Sequence, residues 1–140
     1  MKNILDKLMI RSSDYVATVD VEDDNVLSKI YRIAKGMICA GKVGQDDLSG
    51  LEKIKVVKNI KQIDEDVFNK IIVIYSDEIN LKSLVRIAEH LGHVLICEIP
   101  IDKKEIFENL LAQKAGIYET WDFAGDKKGC VDFLFKVRKY

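Results

Sequence analysis

The stretch KIIVIYSDEINLKSLVRIAEHLGHVLICEIP, residues 70–100, decides the fold of this 140-residue chain. Residues 71–75 form a nearly unbroken β-branched and aromatic run, which is typical of a strand buried on both faces. Apolar residues then recur at helical spacing over residues 81–91, and Gly92 supplies the stop for that helix. A second apolar run follows at residues 94–97. The stretch therefore predicts a strand, a crossover helix and a second, parallel strand.

The composition indicates one α/β domain that comprises residues 1–140. Because 48% of the chain is hydrophobic and 32% is charged, it can bury one core, onto which a helix within residues 1–13 is expected to pack. The net charge of -1 creates no overall positive field that would attract nucleic acid. No stretch is apolar enough for a signal peptide or membrane span. The cysteines are far apart, so no metal site is expected. We therefore predict a cytoplasmic protein that binds neither nucleic acid nor membrane.

Both sides of the central stretch continue the alternation of strands and helices. The expected strands are residues 15–21, 37–43, 54–59, 70–75, 94–97, 117–123 and 130–139. The expected helices are residues 25–35, 45–52, 63–69, 81–91 and a longer one capped by Asp102, with Ile106, Phe107 and Leu111 on its buried face. The link GDKKG between the last two strands is short enough for a hairpin, so that pair is expected to be antiparallel.

The end of the chain carries the most telling resemblance to a known family. GHVLICEIP, KEIFENLLAQKAG, IYETWDF and VDFLFKVRK look like the fifth strand, last helix and closing hairpin of class I S-adenosylmethionine-dependent methyltransferases, in that order. The order of elements resembles that family over essentially the whole chain. The resemblance implies a three-layer, doubly wound, Rossmann-like and mostly parallel sheet of about seven strands with an antiparallel C-terminal hairpin. It also implies a cofactor cleft at the carboxyl ends of the strands.

The cofactor motifs of that family are altered in this chain. Members carry a glycine-rich loop after the first strand, where the backbone approaches the methionine part of the cofactor, whereas this chain reads VEDDN at residues 21–25. Members also place an acid after the second strand on the ribose hydroxyls, whereas this chain reads Ala40, Gly41 and Lys42. The positions that the resemblance assigns to cofactor binding are Asp20, Asp23, Asn59, Ser76 and Asp77.

These substitutions indicate a degenerate methyltransferase-like domain. Glu22 and Asp23 obstruct the methionine carboxylate by bulk and charge, so S-adenosylmethionine is expected to bind weakly or not at all, without catalysis by the protein alone. The sequence does not identify catalytic residues, and the lack of a catalytic dyad excludes nothing, because methyl transfer needs mainly the positioning of its reactants. For Asp23, Asp24 and Asp77, the alternative is a helix cap or a solvated loop residue.

Two other functions would use the same elements. Residues 71–78 and the helix and strand after them also resemble a receiver domain, but Lys58 and Asn59 stand where its phosphoacceptor aspartate is expected, which leaves a pseudo-receiver domain. The other alternative is a non-catalytic protein-interaction module or subunit, which forms a homodimer or binds a protein partner through the C-terminal hairpin. That hairpin concentrates the aromatic residues Trp121, Phe123, Phe133 and Phe135.

Overall fold

Seven strands form one sheet in the computed structural model, which describes residues 5–44, 51–58, 60, 68–91, 93–114 and 118–137. The strands are β1 (Tyr15–Val19), β2 (Gly36–Ala40), β3 (Ile54–Val57), β4 (Lys70–Ile74), β5 (His93–Pro100), β6 (Tyr118–Ala124) and β7 (Cys130–Val137). The described helices are α1 (Leu5–Leu8), α2 (Asp24–Ile33), α3 (Leu81–Leu91) and α4 (Ile101–Lys114). The order of strands in the sheet is β3-β2-β1-β4-β5-β7-β6.

The strand β4 lies at the centre of the sheet, as the sequence predicts. It pairs in parallel with β1 and with β5, and Ile71, Ile72 and Val73 are completely buried. A strand covered on both faces has no solvated side, which explains why its apolar residues run on without alternation. Parallel pairing also joins β1 to β2 and β2 to β3. The carboxyl ends of these five neighbouring strands therefore share one edge of the sheet.

Helices cover both faces of the sheet and create two apolar layers. On one face, Leu84 of α3 and Phe107 and Leu111 of α4 are fully buried in a first core cluster. On the other face, α1 and α2 supply a second core cluster. Its buried members from these two helices are Leu5, Leu8, Val26, Leu27 and Ile30. The predicted three-layer, doubly wound sheet is confirmed.

The C-terminal hairpin inserts β7 between β5 and β6, and both of these pairings are antiparallel. Phe133 and Phe135 of β7 are fully buried and contact Phe107 of α4 at ring-centroid distances of 5.8 and 5.0 Å. Trp121 and Phe123 of β6 pack against the second core cluster and are half-buried. Two of the four aromatic residues considered for an interface are therefore core residues.

Three residues lie in environments that differ from those predicted. Ile74 ends β4 and is only half-buried, unlike the three residues before it. The helix α4 begins at Ile101, directly after β5, so Asp102 lies in its first turn and is not its cap. Ile106 is 47% exposed, because Phe107 faces β7 and adjacent helical residues point about 100° apart.

Some predicted features lie outside the described residues. These are Gly92 and most of the helices predicted at residues 45–52 and 63–69. In the part of the chain that the structure describes, no helix has both the length and the apolar character needed to cross a membrane.

A buried polar network ties the N-terminal segment to the amino-terminal edge of the sheet. Nζ of Lys70 donates hydrogen bonds to the carboxylate of Asp14 and, at 2.7 Å, to the carbonyl oxygen of Met9. Burial by itself would raise the pKa of Asp14. Hydrogen bonds from Lys70, Asn69 and the Arg11 N–H outweigh this effect and hold the pKa below its usual value. The network lies at the start of β4, so its role is structural.

Candidate functional site

A cleft of about 620 Å³ opens at the carboxyl ends of β1, β2 and β4. The connection after β1 leads to β2 on one side, and the connection after β4 leads to β5 on the other side. The two connections therefore diverge between the neighbouring strands β1 and β4. Doubly wound sheets bind their ligands at such a point. The residues that line the cleft are Val19, Asp20, Gly41, Lys42, Lys58, Ile60, Ser76, Asp77, Glu78 and Ile79.

Asp20, directly after β1, joins this strand to the loop that follows β2. Its backbone lies in the left-handed region with a φ of 57°, which Asp adopts more readily than most residues. Oδ1 of Asp20 accepts a 2.9 Å hydrogen bond from the N–H of Lys42. A methyl group on Gly41 would stand 2.1 Å from that oxygen. The carboxylate of Asp20 is therefore already used inside the protein.

Gly44 makes a second close contact between the same two loops. A methyl group at this position would stand 1.7 Å from Oδ1 of Asp24 and 3.1 Å from the carbonyl oxygen of Glu22. The resemblance leads us to expect glycines in the loop after β1. This chain instead has them after β2, where they make room for the acids of the first loop.

Asp23 caps α2 and is not among the described residues that line the cleft. Its Oδ1 accepts hydrogen bonds from the N–H groups of Asn25 at 2.9 Å and Val26 at 3.3 Å. These amides lie at the positive end of the helix dipole, where a bound anion would otherwise be held. The helix-cap alternative considered from the sequence describes Asp23 correctly.

Ser76 and Asp77 bring polar atoms to the side of the cleft that follows β4. Oγ of Ser76 is buried and has no hydrogen-bond partner among the described residues. Tyr75 donates a long hydrogen bond of 3.4 Å to Oδ1 of Asp77. Burial raises the pKa of Tyr75, and the negative charge of Asp77 adds to that rise. Asn80, and not Asp77, caps α3 by accepting two backbone N–H groups.

The structure brings three of the five predicted cofactor residues together. Asp20, Ser76 and Asp77 line the same cleft. Asp23 lies beside it on the helix cap. Asn59 lies outside the described residues.

Several further lining residues were not predicted from the sequence, among them Lys42, Lys58 and Ile60. Lys42 follows β2, and Lys58 and Ile60 follow β3. Lys42 belongs to the stretch after the second strand where the resemblance leads us to expect a ribose-binding acid, whereas Lys58 and Ile60 flank Asn59 and are not themselves assigned to the cofactor. Only their position in the sequence could have indicated these residues, because each follows a strand whose carboxyl end lies at the edge of the sheet that forms the cleft.

Solved structures share this fold over nearly the whole chain. A tRNA (m1A58) methyltransferase from Aquifex aeolicus matches with a TM-score of 0.71 at 13% identity, covering 99% of this chain and 68% of that one. A ribosomal protein L11 methylase from Lactobacillus delbrueckii subsp. bulgaricus matches with a TM-score of 0.69 at 19% identity, covering 99% and 76%. A Streptococcus mutans protein in complex with SAH matches with a TM-score of 0.64 at 9% identity, covering 98% and 97%. No family model and no curated protein matches the sequence.

The topology and these likenesses together define the class of fold. The chain has the fold of class I S-adenosylmethionine-dependent methyltransferases, with β7 antiparallel to both of its neighbours. The resemblance seen at the end of the sequence is thereby confirmed for the fold. The pseudo-receiver alternative is not favoured, because the hairpin is part of the same sheet. At identities of 9–19% the likeness shows the fold alone, so the chemistry must be argued from the cleft.

Proposed function

We propose that the protein is a degenerate methyltransferase-fold domain. In this proposal it binds S-adenosylmethionine weakly or not at all and does not transfer methyl groups by itself. The observation that carries the proposal is the cap that Asp23 forms on α2. Its carboxylate accepts hydrogen bonds from the N–H groups of Asn25 and Val26, the kind of donors that a cofactor carboxylate needs at this loop. An incoming carboxylate would therefore compete with an anion that belongs to the chain.

The other residues of the loop after β1 also disfavour binding of a cofactor carboxylate. Glu22 and Asp24 flank Asp23 and add negative charge, which disfavours a second carboxylate nearby. Val21 is completely buried in the second core cluster, so moving the loop aside would expose it to water. The carboxylate of Asp24 also lies close to Gly44, which leaves the loop little room to move in that direction.

The size of the expected effect follows from the lost hydrogen bonds. Two or three bonds at roughly 1–1.5 kcal/mol each correspond to about 10²–10³-fold in affinity. A loss of this size moves a micromolar cofactor site toward millimolar, where ordinary cellular occupancy would be low.

Isothermal titration calorimetry with S-adenosylmethionine and with S-adenosylhomocysteine tests the proposal. For the wild-type protein we expect no saturable isotherm below about 1 mM. A micromolar isotherm that Asp77→Ala abolishes would overturn the proposal and indicate an active cofactor site.

A matched pair of variants at Asp23 tests the reason for weak binding. Asp23→Gly frees the two amides and costs α2 only a few tenths of a kcal/mol, whereas Asp23→Asn keeps a capping oxygen but removes the charge. If occupied donors are the obstacle, Asp23→Gly gains affinity for the cofactor and Asp23→Asn gains less. Equal gains would assign the obstacle to charge alone.

A protein partner or a second copy at the C-terminal hairpin stays a prediction. Since Phe133 and Phe135 are core residues, the surface that remains for it is β6 with the half-buried Trp121 and Phe123. Sedimentation over a range of concentrations should show a dimer that Trp121→Ser weakens. A wild-type protein that stays monomeric at every concentration would contradict the homodimer.

A further inference from the structure

Two lysines line one side of the cleft and two acids line the other, with Asp20 after β1 between them. The strand order places β3 and β2 on one side of β1 and β4 on the other. Lys42 and Lys58 follow β2 and β3, whereas Asp77 and Glu78 follow β4. The cleft therefore attracts an anionic group at one end and a hydrogen-bond donor or cation at the other.

Apolar side chains also line the cleft. Val19, Ile60 and Ile79 belong to its lining, and the volume of about 620 Å³ lies within the range of small-molecule sites. Asp20, which also lines the cleft, has Oδ1 engaged by the N–H of Lys42. Apolar side chains beside charged ones suit a flat, uncharged ring that carries polar groups.

Ser76 provides an unused polar atom at the acidic end. Its Oγ is buried and lacks a hydrogen-bond partner among the residues that the structure describes. Buried hydroxyls are normally hydrogen-bonded, so an unpartnered one in a cleft marks a place that a ligand group or water satisfies. Together with the carboxylates of Asp77 and Glu78, it matches the amino group of a nucleobase.

We infer that this cleft binds a nucleoside monophosphate, with its phosphate toward Lys42 and Lys58 and an amino-bearing base toward Ser76 and Asp77. The inference rests on the proposed function, since it assigns another ligand to a cleft that does not hold S-adenosylmethionine tightly. After β2, the resemblance leads us to expect an acid, which would repel a phosphate attached to the ribose. This chain has Lys42 there instead, and its positive charge attracts the phosphate. The acids at residues 22–24 exclude the phosphate from the loop after β1, so its position is confined to the β2 and β3 side.

Calorimetry with 5′-AMP, 3′-AMP, 2′-AMP and adenosine tests the inference. For the wild-type protein we expect at least one of the three monophosphates to bind with a dissociation constant below about 1 mM, and adenosine to bind more weakly. The preferred isomer shows where the phosphate sits on the ribose. Affinity should fall as salt is raised, because the lysines are exposed and screening weakens their attraction.

Lysine variants locate the phosphate. We expect Lys42→Ala and Lys58→Ala each to weaken monophosphate binding about 3- to 10-fold and to leave adenosine binding unchanged. Lys55→Ala is the matched control, since Lys55 is an exposed lysine of β3 that does not line the cleft. Ser76→Ala should weaken the nucleotide and the nucleoside equally, because it removes a contact to the base.

The outcomes separate this inference from the proposed function. If neither S-adenosylmethionine nor any monophosphate binds, the inference is wrong and the proposed function stands. If S-adenosylmethionine binds at micromolar concentration and the monophosphates do not, both are wrong. If monophosphates bind but Lys42→Ala and Lys58→Ala behave like Lys55→Ala, the assigned phosphate position is wrong.

Discussion

A methyl group on Gly41 would stand 2.1 Å from Oδ1 of Asp20, so the end of β1 and the loop after β2 fit together only because residue 41 is glycine. Gly41 also has a φ of 71°, a backbone conformation that side chains disfavour. The same oxygen accepts the N–H of Lys42. One carboxylate thus links two of the loops that form the cleft.

Gly41→Ala is expected to destabilise the protein by about 3 kcal/mol or more, because overpacking adds to the cost of a side chain at positive φ. Gly129→Ala is the matched control, since Gly129 has a φ of 80° but no atom within 4 Å of the added methyl group. It should cost only about 1–2 kcal/mol. Urea denaturation of both variants measures the difference.

Adding Asp20→Ala to Gly41→Ala tests whether the clash itself is the cause. The double variant should be more stable than the sum of the two single effects predicts, because the oxygen that opposes the methyl group is gone. Simple additivity would show that the cost comes from the backbone at residue 41.

Lys70→Met should destabilise the protein by about 3–5 kcal/mol, because the carboxylate of Asp14 would stay buried without its cation. The side chains of Lys70 and Asp14 are each only 6% exposed. Lys29→Met is the control, since the Lys29 and Asp6 side chains are 51% and 83% exposed and such pairs contribute about 0–1 kcal/mol. Similar melting temperatures for both variants would show that the buried pair contributes little.

Ile72→Asp is expected to unfold the domain. An unpaired carboxylate in a completely buried strand costs several kcal/mol against a typical total stability of about 5–15 kcal/mol. Ile74→Asp should be milder, because Ile74 is half-buried at the strand end. Circular dichroism melts of the two variants check the order, and a folded Ile72→Asp protein would remove this residue from the core.

Stability should fall as the pH is lowered from about 6.5 to 4, because His93 must stay neutral in the folded protein. Burial lowers the pKa of His93 to about 4, and the positive charge of Lys70, its partner in the neighbouring strand, acts in the same direction. The unfolded chain therefore binds a proton in this range before the folded one does. Since the ring is only half-buried, we expect a loss of about 1–2 kcal/mol.

His93→Gln removes the titrating ring and should flatten the stability profile between pH 6.5 and 4. Asp14 is not expected to contribute in this window. Its lowered pKa gives stability that is lost only as the pH falls below the unfolded value of 3.8. Denaturant midpoints measured at several pH values test this prediction. Parallel stability profiles for wild type and variant would exclude His93 as the cause of the loss between pH 6.5 and 4.

The residue patterns by themselves determined the identity and order of the main elements. The unbroken β-branched run of β4, the helical spacing of α3 and the short link before β7 are local signals, and each depends on neighbours in the sequence. They are sufficient to predict a parallel core with an antiparallel end. The cap that Asp23 forms on α2 is also a local feature, because helix capping involves only the next three residues.

Only the tertiary structure decided where the ends of the elements lie relative to one another. The exposure of Ile106 depends on which face of α4 meets β7, a contact between segments far apart in the chain. The contact between Asp20 and Gly41 depends on the parallel pairing of β1 with β2, which brings two loops 21 residues apart to one edge. Lys42 and Lys58 reach the cleft by the same pairing. The local sequence does not predict such contacts, because they join residues far apart in the chain and form only when the whole sheet assembles.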